Sequence, residues 1–115
     1  MAAFLDARPV FKGHVLVVPT AHVEDFHVLP AAEVGPFWSG VQRVSRAVES
    51  GLEAQGTFLG VNTKISQSVP HLHAHVVPRR KGDGLRGFFW PRTTYESDAE
   101  RDGFAARIAA ALDVS

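Results

Sequence analysis

"SVPHLHAHVVPR", residues 68–79, is the stretch on which the fold turns. Three of the six histidines, His71, His73 and His75, alternate here with Leu72, Ala74 and Val76, and a proline, Pro70 or Pro78, stands near each end. A repeat of two residues is the repeat of a β-strand, whose successive side chains point to opposite faces. Leu72, Ala74 and Val76 then face a core, and the three imidazoles face a cleft. Same-face neighbours on a strand lie roughly 6.5–7 Å apart, close enough for adjacent rings to share one bound molecule.

Working outward, "TFLGVNT" (57–63) reads as a second strand, joined to the triplet strand by the polar loop Lys64 to Pro70, and a hairpin is the economical connection. Before it, Val34, Phe37, Trp38, Val41, Val44, Val48 and Leu52 recur at steps of three and four, the apolar stripe of an amphipathic helix within residues 30–54. Gly35 and Pro36 delay or kink its start, so the stripe is firmest from Phe37 onward, and Gly56 reads as its C-terminal stop. "HVLVVP" (14–19) is short, β-branched and ended by Pro19, and Ala2 to Leu5 is a short apolar piece, so both read as strands. "DAERDGFAARIAAALDV" (98–114) reads as a closing helix weakened by Gly103, and "RRKGDGLRGFFWPRTTY" (79–95) as a loop with an aromatic cluster at Phe88 to Pro91. That cluster is more apolar surface than a loop normally exposes, and packs near a site mouth, on a partner or in the core. The fold class is α+β: an antiparallel sheet with one main helix and a C-terminal helix.

Composition narrows the function. A chain of 115 residues, 45% hydrophobic, supports one domain, 1–115. Twelve basic and twelve acidic side chains cancel, so no overall positive field draws the chain to nucleic acid or an anionic membrane. Cysteine is absent, which removes disulfides and thiolate zinc sites. No run approaches a membrane span or a signal peptide, and the cytoplasm is the default location.

Three readings of the imidazole triplet stand side by side: histidines by chance on a solvated strand face, a metal site, and covalent catalysis. Neutral imidazole is the commonest metal ligand, and histidines one residue apart on a strand can chelate zinc. Against metal, no carboxylate lies within the strand to complete or orient the ligand set. Covalent catalysis, with one imidazole attacking and the others positioning, suits histidine-rich, carboxylate-poor surroundings.

"HLHAHVV" (71–77) resembles the His-x-His-x-His-x-x signature of the histidine triad family, the x positions being hydrophobic. "FLDARPVFKGHVLVVPTAH" (4–22) resembles that family's upstream strand pair and "VNTKISQSVPHLHAHVVPR" (61–79) its catalytic hairpin, so the likeness covers residues 2–81. It implies hydrolysis or transfer at the α-phosphate of a nucleotide conjugate. His73 would attack the phosphorus, forming a nucleotidyl-imidazole that water resolves to a nucleoside monophosphate. His75 would bind phosphoryl oxygens and assist the leaving group, and His71 would orient the nucleophile's ring, with His14 behind it. Asn62, Gln67 and Ser68 would donate to the phosphate, Asp6 would accept from the ribose hydroxyls, and Phe4 would wall the base. Lys64 and Arg79 are near enough in sequence to help with longer polyphosphates, or are ordinary solvated charges. His22 and His27 read as structural or exposed.

The likeness also implies a homodimer built through the main helix and a strand, a contact that Val41, Val44 and Val48 would serve unless the chain's own core takes them. It implies no tightly bound cofactor, with magnesium accompanying a polyphosphate substrate, and the missing cysteines remove the structural zinc of some relatives. Family members carry a longer segment before the equivalent of Phe4, including a short helix and strand that complete the base pocket. A shortened N-terminus with an open base pocket, or a start assigned late, is the expectation here. The substrate expected from the basic "RRK" (79–81) is a dinucleoside polyphosphate. The alternatives are an adenosine phosphoramidate, or a nucleotide-binding sensor with negligible turnover.

Overall fold

The computed structural model describes residues 1–85 and 92–112. The aromatic cluster Phe88 to Pro91 lies outside them. Where the sequence reads as one domain, the chain divides into two compact units, Met1–Asp83 and Gly84–Ser115.

The first unit is a four-stranded antiparallel sheet with one long helix. Its strands are β1 (Ala2–Leu5), β2 (Val15–Val18), β3 (Gly56–Gly60) and β4 (Ala74–Arg79), in the order β1-β2-β4-β3. Helix α1 (Ala31–Gly51) follows a single 3-10 turn at Phe26–Val28. Register sorts the side chains by face. Ala3 pairs with Val17 and Val17 with Ala74, while Phe4 pairs with Leu16 and Leu16 with His75. The first row lies on the apolar face of the sheet, and the second carries the histidine side.

Helix α1 covers the apolar face. Phe37, Val41 and Val48 are buried against Val17, Leu72, Ala74 and Val76, with Val23 and Leu29 closing one end and Val34 and Val44 packed at the rim. Leu72, Val17, Val41 and Val76 are fully buried, each contributing roughly 1.5–3 kcal/mol of apolar transfer energy. Val41 and Val48 are therefore part of this chain's own core, and the surface left for a partner along that stripe is small.

Both ends of α1 differ from the sequence reading. The helix begins at Ala31, ahead of Pro36, not near Phe37. Proline at the sixth helical position removes one N–H early in the helix, and the Glu33 N–H turns back to the Pro30 carbonyl at 2.8 Å to close the first turn. At the other end, Gly56 is the first residue of β3, paired with Arg79, and does not stop the helix. The stop is at Glu53, which takes a left-handed φ of 52°. Its N–H meets the Ser50 carbonyl at 3.4 Å, and the Ala54 N–H meets the Glu49 carbonyl at 2.9 Å. This is the paired-bond termination usually occupied by glycine.

The second unit contains α2 (Asp98–Leu112). The Glu100 N–H donates to Ser97 Oγ at 3.1 Å and Glu100 Oε1 accepts from the Glu96 N–H at 3.0 Å. This reciprocal cap, with Asp98 and Glu100 in the first turn, starts the helix despite Gly103. No helix among the described residues is long and apolar enough to cross a membrane.

Candidate active site

The triplet is only partly a strand. β4 begins at Ala74, so the strand carries His75, while His71 and His73 precede it. The ladder with β2 ends at Ala74 because the Leu72 N–H turns to the Val23 carbonyl at 2.6 Å, and the His71 N–H to the Val69 carbonyl at 2.8 Å. The alternation of faces survives this departure. Leu72, Ala74 and Val76 are fully buried, whereas His71, His73 and His75 line one cleft of about 460 Å³. Phe4, Leu16, Val18 and Val69 give the cleft an apolar side, and Asp6 and Ser68 complete its lining.

Hydrogen bonds assign the protons on two of the rings. The Val10 N–H donates to His14 Nδ1 at 3.1 Å, so in neutral His14 the hydrogen is on Nε2. His14 Nε2 lies 2.9 Å from His75 Nδ1, which must accept from it. His75 therefore carries its own hydrogen on Nε2, as a donor for whatever the cleft holds. His73 Nδ1 is 2.7 Å from the His71 carbonyl, which can only accept. His73 thus keeps Nδ1–H and has its lone pair on Nε2. One ring is a poised donor and its neighbour, 5.1 Å away between centroids, a poised nucleophile.

Electrostatics keep the donor neutral. Burial pushes the His75 pKa below the ordinary histidine value, and the neighbouring His73 and His14 push the same way against the opposing Asp6 carboxylate. His14, only 3% exposed, is lowered by burial, with Asp6 again opposing. Asp6 Oδ2 stands 3.7 Å from His14 Nδ1, and its Oδ1 accepts the Arg8 N–H at 2.9 Å.

The residues singled out in the sequence do not all gather here. Phe4, Asp6, Ser68, His71, His73 and His75 do. His14 backs His75 rather than His71, because the loop before β2 lies beside β4. Asn62 is exposed and does not line the cleft. Gln67 is committed elsewhere: its Nε2 donates to the Glu24 carbonyl at 2.5 Å and its Oε1 accepts from the Lys64 N–H at 3.1 Å. It braces one loop on another, in a segment where Lys64 and Ser66 both hold left-handed φ values of 70° and 60°. Arg79 is engaged with Asp83 through two hydrogen bonds of 2.6 and 3.1 Å.

Two features were not found from sequence. Val69, Leu16 and Val18 join Phe4 in the apolar wall, although the register of β1 against β2 would have suggested Leu16. His22, read as structural or exposed, is exposed and hydrogen-bonds to His71, Nδ1 to Nδ1 at 3.1 Å. Nothing in strand periodicity signals a contact between loops 49 residues apart.

A family model described as the HIT domain matches residues 1–82. The chain is 33% identical over 84 residues to the asymmetrical bis(5'-nucleosyl)-tetraphosphatase of Schizosaccharomyces pombe, covering 71% of this chain and 46% of that protein. Curated relatives are matched over 46% to 64% of their own length, so the chain spans about half to two thirds of them. Among solved structures, a HIT family protein from Bacillus subtilis superposes with a TM-score of 0.79 at 31% identity, over 94% of this chain and 79% of that one. A zinc-bound histidine triad family protein from Mycobacterium smegmatis superposes with a TM-score of 0.68 at 38% identity, over 97% and 79%.

Zinc is a fair question to put to this chain. Asp6, His14 and His75 offer ligand atoms within 4.8 Å of one another. Both His14 nitrogens are already used, Nδ1 by the Val10 N–H and Nε2 by His75. A resident cation would have to break one of those bonds, and the set does not fit one as it stands.

Proposed function

The chain belongs to the HIT domain family, and from that premise we propose that it hydrolyses nucleotide conjugates at the α-phosphate through a nucleotidyl intermediate on His73. The observation that carries this reading is the 2.7 Å bond from His73 Nδ1–H to the His71 carbonyl. It leaves Nε2 unprotonated on a ring that lines the cleft beside the His75 donor.

The chemistry follows from those two tautomers. The Nε2 lone pair of His73 forms a bond to the α-phosphorus while the bond from phosphorus to the leaving oxygen breaks, its electron pair going to the departing phosphate. His75 Nε2–H stabilises the charge that develops on the phosphoryl and leaving oxygens. The nucleotidylated ring is an imidazolium whose Nδ1–H the His71 carbonyl holds, which makes it a good leaving group. Water then adds to phosphorus, the N–P bond breaks with its pair returning to Nε2, and one proton of the water passes to solvent. Phe4, with Leu16 and Val18 beside it, is the wall for a base, and Asp6 is the acceptor for ribose hydroxyls. Ser68 is the side-chain donor to phosphate on the cleft lining, supplemented in solution by Asn62 after loop rearrangement.

The preferred substrate class is a dinucleoside polyphosphate, the class named for the S. pombe relative. The test compares release of nucleoside monophosphate from diadenosine tetraphosphate and from an adenosine phosphoramidate, by wild type and by His73→Ala. Faster turnover of the tetraphosphate, with a loss of about 10⁴-fold in the variant, is the expected result. Faster turnover of the phosphoramidate reassigns the substrate. Inert wild type that still binds nucleotide overturns the catalytic reading in favour of a sensor.

A further inference from the structure

We propose that His22 is a positioning residue for the nucleophile, acting through His71; this rests on the reading of His73 given above. The carbonyl that fixes the His73 tautomer belongs to His71, a residue outside the β4 ladder. What holds His71 in place is therefore not the sheet but the loop that follows β2. That loop makes three contacts with the segment 67–72: Gln67 Nε2 with the Glu24 carbonyl, the Leu72 N–H with the Val23 carbonyl, and the His22 ring with the His71 ring.

The first two contacts fix backbone positions on either side of His71. Only the third reaches the side chain of His71 itself. The two rings meet at 5.0 Å between centroids with planes at 59°, and their Nδ1 atoms are 3.1 Å apart. Two such atoms at that distance attract only if one bears a hydrogen and the other a lone pair. The far nitrogen, His71 Nε2, is buried with no hydrogen-bond partner among the described residues. The bond to His22 is thus the polar contact that orients the His71 ring, and with it the peptide unit whose oxygen holds His73. Among the described residues no third ligating side chain joins this pair, so a hydrogen bond, not a shared ion, is the role argued for it.

His22 is exposed and its ring touches no reacting atom, so its loss should spare binding and slow chemistry. In His22→Ala, single-turnover nucleotidylation of His73 should slow about ten- to a hundredfold, the range of lost orienting partners behind active-site histidines, with KM changed less than about twofold. His22→Asn places an amide nitrogen at the same δ position and should recover most of the rate. The Nδ1–H proton signal of His73, assigned by its absence from His73→Ala, should broaden by exchange with water in His22→Ala and sharpen again in His22→Asn. An unchanged signal in His22→Ala overturns the proposal, as does an equal loss of rate in both variants accompanied by a lowered Tm. If wild type neither turns over nor forms an adduct, it is the nucleotidyl-histidine reading that fails, and the proton signal still decides the role of His22.

Discussion

His75 and His71 stand at the two ends of one alternating triplet and are held by opposite means. His75 is on a central strand, and its partner His14 is buried and has its tautomer dictated by a backbone N–H. His71 is off the strand, and its partner His22 is exposed, with neither tautomer set by a backbone group. A buried bond to a main-chain group fixes a proton's location at the cost of leaving that group unpaired if the ring is removed. A bond to an exposed ring fixes orientation while water remains a ready substitute. The side of the cleft that must donate to developing charge is built the first way, and the side that positions the nucleophile's ring depends in part on the second.

The largest effect that tests this contrast is on chemistry. His75→Ala removes the donor supplied by the rigid side and should lower kcat about 10²–10⁴-fold, the usual contribution of a positioned acid or base, against the smaller loss expected for His22→Ala. Comparable losses from both would break the comparison.

A smaller effect falls on stability. His14→Ala leaves the Val10 N–H and His75 Nδ1 without their partner in the interior, and should cost about 1–3 kcal/mol in a denaturant melt. His22→Ala, at an exposed ring, should stay within about 0.5 kcal/mol. Equal costs would mean that the exposed pair carries structural weight that its solvation does not predict.

The smallest is a pH dependence. His14 and His75 both have pKa values below the ordinary 6.5 in the folded chain. The unfolded chain therefore takes up protons at these sites first as pH falls, and their contribution to stability is present above about pH 6.5 and lost below it as pH drops through the folded values. Urea melts from pH 7.5 to 5 should show that decline in wild type and a shallower one in His14→Ala. An identical slope in the two would contradict the burial argument.

Much of the fold was legible. Alternation from His71 to Val76 assigned the two faces correctly, and the stripe from Val34 to Val48 identified α1, because burial imposes those periods on any sequence that forms these elements. The limits of the elements were not legible where a distant partner sets them. β4 starts at Ala74 because Val23, far away in the chain, takes the Leu72 N–H. Helix α1 ends on Glu53 in a conformation that the sequence would assign to a glycine. For the site, spacing brought His71, His73 and His75 to one cleft, and the family likeness added Phe4, Asp6 and Ser68. The His14–His75 and His22–His71 bonds, and the diversion of Gln67 to Glu24, come from loop packing that leaves no periodic trace.

The central claim is that His73 becomes covalently nucleotidylated. Wild type and His73→Ala should be mixed with diadenosine tetraphosphate, quenched within the first turnover in alkaline denaturant, which spares an N–P bond, and weighed intact by mass spectrometry. A mass increase of one bound nucleoside monophosphate unit in wild type, absent in His73→Ala, is the predicted result. Monophosphate release by wild type with no adduct on any time scale, or an adduct that persists in His73→Ala, would contradict it.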